Sequence, residues 1–238
     1  MAATRRLIVN ADDFGQSAGV NRGIITAHEQ GIVTSASLMV RWPAAREAAA
    51  YARAHPELSL GLHVDLGEWA CRDGSWVARY EVVPVHDRDA VAAEVLRQLD
   101  EFHRLAGKDP THLDAHQHVH RREPARSVVL ALAHQLGAPL REHHPAIRYC
   151  GDFYGQTADG SPIPGVISVE GLAKILAALG PGIMELGCHP GENHDLDTMY
   201  ASERVQEVQV LCHPRIRMAL SRLNIQLRSF GEVVVHAS

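Results

Sequence analysis

A chain of 238 residues can enclose a full hydrophobic core, and barrels or sandwiches of this size commonly form one domain, so residues 1–238 are read as a single unit. Apolar residues make up 46% and charged residues 21%, which excludes a disordered or fibrous chain. A net charge of -5 without any Lys/Arg block excludes the positive stripe that nucleic acid needs, and no apolar run approaches the ~18 residues of a membrane span.

Leu7–Ala11 is a short apolar run suited to a strand buried on both faces. The acidic pair Asp12–Asp13 follows it too early for a signal-peptide apolar segment of ~7–15 residues, so a cytoplasmic location is expected. Ser17 then precedes a helical pattern, Val20, Ile24 and Ala27, stopped at Gly31. Thr34–Val40 reads as a second strand, and Pro43 suits the first turn of the Ala-rich helix after it. Leu58–Leu66 alternates strictly, with leucines and Val64 on one face and His63 and Asp65 on the other.

Gly67–Val85 holds Trp69, Trp76 and Tyr80 without a sustained period and is read as a long functional loop over a site. Ala90–Leu105 has helical spacing, broken by Lys108-Asp109-Pro110 before a strand at Thr111–His116. The helix Pro124–Leu136 is stopped by Gly137. Gly151–Gly165 is a polar loop, Val169–Leu179 a helix and Ile183–His189 a strand. Ser202–Leu223 is helical with an interruption at Pro214, and Asn224–Leu227 is a last strand. Strands separated by helices imply a parallel sheet, and the architecture expected is an α/β fold of the (β/α) barrel type, irregular or with fewer than eight units. A doubly wound open sheet is the alternative. The four cysteines, Cys71, Cys150, Cys188 and Cys212, form no C-x-x-C pair and are read as reduced thiols.

The 16 histidines concentrate in Thr111–Arg121 and around Glu142–Pro145. Three strand ends carry unusual polar groups: Asp12 and Asp13, then His63 and Asp65, then Asp114, His116, His118 and His120. In α/β folds those ends share one rim, where sites form. Adjacent carboxylates repel, and a divalent cation would neutralise them. Two imidazoles and one Asp oxygen, from His63, His116 and Asp13, suit zinc, while added waters admit a harder ion such as magnesium. In a straight strand Asp12 and Asp13 point to opposite faces, so both serve one site only if the backbone bends after Asp12, with Phe14-Gly15 as the place for it. Asp12 is then free to take a proton from the water such an ion activates. An Asp-Asp pair also serves as a cap or turn, and a lone His63 as a hydrogen-bonded core residue. The alternate histidines of HLDAHQHVH have no simple packing explanation, although some could orient the ligands.

NADDFG at Asn10–Gly15, the segment Gly19–Val40, GLHVDL at Gly61–Leu66, THLDAHQHVH at Thr111–His120 and ELGCHPGE at Glu185–Glu192 carry a resemblance. In that order and spacing the chain resembles the YdjC-like carbohydrate deacetylase family, which includes chitooligosaccharide and hopanoid-associated deacetylases, over about residues 5–232. The resemblance implies a TIM-like (β/α) barrel related to the polysaccharide deacetylases, acting as a single catalytic domain. It implies metal-dependent removal of an N-acetyl group from an amino sugar or glycoconjugate, with release of acetate. One divalent ion (Zn2+ or Mg2+) would be held by Asp13, His63 and His116, with Asp12 as general base and His189 as the acid that protonates the departing amine.

As a strand, Ile183–His189 puts Glu185 and His189 on one face. Glu185 and Asp114 each either orient a site histidine or are buried polar groups satisfied by backbone. Gln117 stands where the family often has a third consecutive histidine, and the GENHDLD stretch after Pro190 is variable in the family, so the substrate stays open. Aromatic residues of the two loops could stack on a sugar or form a subunit interface, and a homodimer is expected from the prevalence of twofold assemblies. The competing readings are a catalytically silent sugar-binding or regulatory barrel and a metal-dependent hydrolase of an O-acetyl ester or phosphoester. The HExxH protease motif is absent.

Overall fold

Strand β1 (Arg5–Phe14) is buried without interruption from Leu7 to Phe14, the condition of a strand covered on both faces. The computed structural model describes residues 4–157, 159–192 and 195–233. In chain order β1 is followed by α1 (Ala18–Glu29), β2 (Ser35–Leu38), α2 (Ala45–Ala54) and β3 (Ser59–Val64). A hairpin, β4 (Gly67–Arg72) and β5 (Ser75–Glu81), then leads to α3 (Arg88–Ala106), β6 (Leu113–Ala115), α4 (Ala125–Leu136) and β7 (Ile147–Cys150). The chain continues through α5 (Val169–Ala178), β8 (Gly182–Cys188), α6 (Ala201–Leu211), α7 (Pro214–Arg222) and β9 (Ile225–Leu227).

The strands of the main sheet pair in parallel in the order β6-β3-β2-β1-β8-β7, and β9 adds to the start of β1. With β8 beside β1, the strands follow one another around a ring in sequence order, which is the order of a (β/α) barrel and excludes the doubly wound alternative. The ring is incomplete. Among the described residues β6 and β7 form no ladder with each other; instead, at that seam, Leu113 makes a single parallel bridge with Leu140. Helices pack in neighbouring pairs, α2 on α3, α3 on α4, α1 on α6 and α5 on α7. The expected barrel with fewer than eight units is therefore observed, as a curled half-barrel.

Local signals read from the sequence account for several element ends. The Ser17 hydroxyl accepts from the Val20 N–H at the start of α1, and Gly137, at φ 63°, closes α4 in the left-handed conformation. Pro43 falls short of its expected place, because α2 begins at Ala45. The strand at Thr111–His116 contracts to Leu113–Ala115, since a tight turn starts at His116.

Two segments differ outright. Most of Gly67–Val85, from Gly67 to Glu81, is an antiparallel hairpin rather than a loop, turning through Asp73 and Gly74 at φ 50° and 76°. That Asp-Gly pair is the two-residue turn signal, but β5 is mostly exposed and so shows no apolar alternation. Strand β7 went unread because only Ile147 and Cys150 in it are buried. All four cysteines are free, and among the described residues no helix is long and apolar enough to cross a membrane.

Candidate active site

The bend that the two aspartates require sits at Asp13 itself, one residue ahead of Phe14-Gly15. Asp13 has φ 68°, and the β1–β2 register shifts between Ala11 and Phe14. The Gln16 N–H closes the turn on the Asp13 carbonyl at 3.0 Å. Gly15, at φ 93°, runs so close to α2 that an added Cβ would stand 2.8 Å from Ala45 Cα, so only glycine fits there. The turn swings the Asp13 side chain off its strand alternation toward the ends of β3 and β6.

There it meets two imidazoles. Asp13 Oδ1 lies 3.4 Å from His63 Nε2 and 3.0 Å from His116 Nδ1, and one candidate ligand atom from each of the three buried residues lies within 4.8 Å of the others. Asp114 Oδ1 is 2.7 Å from His63 Nδ1, which orients the ring and turns Nε2 toward Asp13. Of the two roles left open for Asp114, orientation of a site histidine is the one seen. Glu185 instead accepts from Arg141 Nε at 2.7 Å.

Two arginines that the sequence reading did not use dominate the electrostatics. Arg141 grips Asp12 with both terminal nitrogens, at 2.6 and 2.7 Å, and its Nη2 lies 2.8 Å from Asp114 Oδ2. It arrives at the barrel seam, where its N–H donates to the Leu113 carbonyl at 3.0 Å as a missing strand would. Arg204 on α6 donates to Asp13 Oδ2 at 2.5 Å. A cation is thus not the only neutraliser of the paired acids, which corrects the argument made from charge alone. Signals for these arginines were weak: an arginine on an amphipathic helix or after a loop reads as a solvated one.

Charge balance still leaves room for a dication. Four buried carboxylates, Asp12, Asp13, Asp114 and Glu185, face two guanidiniums, Arg141 and Arg204. Burial raises the Asp12 and Asp13 pKa values, but Arg141 and Arg204 outweigh it and hold both below the usual carboxylate range. Glu185 is the exception, pushed up to about 7 by burial despite Arg141. Burial disfavours charge on the histidines too, yet Asp114 lifts His63 well above its ordinary value and Asp13 lifts His116 to about 9. Without an ion, imidazolium protons on His63 and His116 add positive charge beside Asp13. An ion of charge two would replace them, and the donor set of two imidazoles and one carboxylate fits it. His116 Nε2 is buried with no hydrogen-bond partner among the described residues. A second grouping, Asp12, His63 and Asp114, is as compact, but Arg141 already occupies both of its carboxylates.

A test follows from the signs. The neighbouring carboxylates shift both imidazoles toward the protonated form, His116 to about 9, and each must be neutral to ligate, so zinc loading at pH 7 should release protons, up to ~2. Affinity should fall as pH drops. Calorimetry in two buffers of different ionisation enthalpy measures the release; a value near zero would remove these two histidines from the site.

His189, just past β8, donates its backbone N–H to Glu207 Oε2 at 2.5 Å. Its Nε2 is 3.7 Å from Asp12 Oδ2, and its ring meets Tyr154 and Tyr200 edge-on at 5.3 and 5.6 Å. Burial lowers its pKa to about 4 against the pull of Asp12, so the resting ring is neutral. Asp12, Asp13, His63, His116 and His189 all line one cavity of about 900 Å³, a volume suited to a small ligand. Trp76, on the hairpin, lines the same cavity and is 54% exposed.

A polar cluster at the carboxyl rim of a parallel half-barrel is the layout of an enzyme of the barrel class. The chain belongs to the YdjC-like protein family, whose family model matches residues 6–222. It is 33% identical to a carbohydrate deacetylase of Geobacillus stearothermophilus, with 96% of this chain and 98% of that one covered. It is 32% identical to a chitooligosaccharide deacetylase of Serratia marcescens, with 95% and 98% covered. Among solved structures, an Enterococcus faecalis protein described as a cellobiose-phosphate cleavage protein superposes with a TM-score of 0.76 at 25% identity, covering 96% and 98%. A family 4 carbohydrate esterase of Streptomyces lividans, solved with acetate, superposes with a TM-score of 0.56 at 12% identity over 95% and 93%. The last is a likeness of fold.

Proposed function

We propose that this chain is a metal-dependent carbohydrate N-deacetylase that hydrolyses the N-acetyl amide of an amino sugar, N-acetylated oligosaccharide or glycoconjugate. The observation that carries this reading is the different company of the two adjacent aspartates: Asp13 joins two histidines, while Asp12 is clasped by Arg141 in the same cavity. The deacetylase names of the two curated relatives support the same class of bond. Asp13, His63 and His116 would hold one divalent ion, zinc or, with added waters, magnesium. When bound, the ion supplies Lewis acidity and brings the pKa of water from 15.7 toward ~7.

The chain's own residues do the rest. Arg204 ties down one oxygen of Asp13 and leaves the other for the histidines. Arg141 keeps Asp12 ionised and aimed, so Asp12 can take a proton from the water that adds to the amide carbonyl. Breaking the C–N bond requires a proton on nitrogen, because an amine anion is a very poor leaving group. His189 Nε2, 3.7 Å from Asp12 Oδ2, is placed to receive that proton and pass it on. Acetate and the free amine leave.

Incubation with N-acetylated chitooligosaccharides, followed by assay of acetate and of free amine, tests the reading. The expected result is equal amounts of both, lost on chelation and restored by zinc or magnesium. Binding without acetate would indicate the catalytically silent barrel, and phosphate released from a sugar phosphate would indicate the phosphoesterase. Undiminished activity after removal of all metal would overturn the mechanism.

A further inference from the structure

The histidine-rich motif carries two imidazoles that the site above does not use. His118 and His120 follow β6 in a turn whose backbone is left-handed at Gln117 and His118, φ 49° and 53°. Across from them stands Glu142, and one candidate ligand atom from each of the three lies within 4.8 Å of the others. This set shares no residue with Asp13, His63 and His116.

His120 is fully buried, and neither of its ring nitrogens has a hydrogen-bond partner among the described residues. Nδ1 of His118 is likewise buried without a partner, while its Nε2 lies 3.5 Å from the Tyr149 hydroxyl. Buried polar atoms are seldom left so, because each forfeits its water without a replacement. His143 contributes only an edge-on ring 5.9 Å from His120. His120 Nε2 is 3.9 Å from Glu142 Oε2, too far for a hydrogen bond. It is close to the about 3.3–3.5 Å that separates two donors on one tetrahedral zinc, given bonds near 2.0–2.2 Å. Arg121 Nε donates to the same Glu142 oxygen at 2.7 Å, which fixes the carboxylate in place.

We propose that His118, His120 and Glu142 form a second metal site, for a divalent ion of the zinc class. Two nitrogen donors select zinc, nickel or copper over magnesium or calcium. His118 lines the main cavity, so the ion sits in the wall of the same chamber. Arg121 and Arg141 stand close by and oppose a cation there, so this site fills after the one at Asp13 and binds zinc at least ~10-fold more weakly. The proposal holds whether or not the chain is a deacetylase.

The test uses the full chain, freed of metal by a chelator, titrated with zinc, and examined both by metal analysis and by anomalous diffraction at the zinc edge. Two equivalents and two peaks are expected, one between His63 and His116 and a weaker one between His118 and His120. His120→Gln and Glu142→Gln should each remove only the weaker, and Asp13→Asn only the stronger. Glu142 is exposed, so its substitution carries the test if the buried His120 variant fails to fold. One equivalent in the unsubstituted protein, a water without anomalous signal between His118 and His120, or a second equivalent that survives both substitutions would overturn the proposal.

Discussion

Asp12→Asn is expected to lower kcat by ~10²–10⁴-fold with the metal content unchanged. The substitution keeps the shape of the side chain, and the amide oxygen can still accept from Arg141 or from Asn10 Nδ2, which is 2.9 Å from Asp12 Oδ1. What is lost is a group able to hold the proton of the attacking water. Asp13→Asn should fail differently, by losing the ion, because it weakens the one carboxylate that faces both histidines. Steady-state kinetics beside metal analysis of the two variants separates base from ligand. Asp12→Asn activity within about threefold of the unsubstituted protein would assign the proton to another group.

The other large effect is on stability. Arg141→Met should cost ~3–5 kcal/mol, since it removes one partner of a buried network and leaves the rest charged. Arg141 is nearly inaccessible, and its guanidinium bonds the carboxylates of Asp12, Asp114 and Glu185 together. For a chain of this length that loss corresponds to a Tm lower by about 6–20 °C. Its pH dependence has a definite sign. Without the guanidinium the folded-state pKa values of these acids rise above their unfolded values, as that of Glu185 already does. Protonation then favours the folded state, so the deficit should widen as pH increases from about 5 to about 8. Arg141→Lys keeps a positive charge but not the two-point grip on Asp12, and should fall between. Urea unfolding of the three proteins at several pH values measures this; an Arg141→Met variant within about 1 kcal/mol of the parent would refute the network's role.

The fold was legible wherever a period or a terminator recorded it. The apolar run of β1, the alternation of β3 and the cap at Ser17 each depend on near neighbours in the chain, and each lies where the sequence puts it. The hairpin β4–β5 and the strand β7 lacked that record, because neither buries a regular face. At the site, the sequence supplied Asp13, His63 and His116 at three strand ends, and the half-barrel brings them together. It also supplied His189, which the structure places beside Asp12.

By itself the sequence determined the succession of strands and helices and the types of side chain at the strand ends, because hydrophobic periodicity and turn chemistry act between residues a few positions apart. Only the tertiary structure decided how the charges are paired. Arg141 meets Asp12 across 129 positions and Arg204 meets Asp13 across 191. Coulomb attraction depends on distance through space, and no local pattern distinguishes an arginine destined for a buried carboxylate from one that will face water.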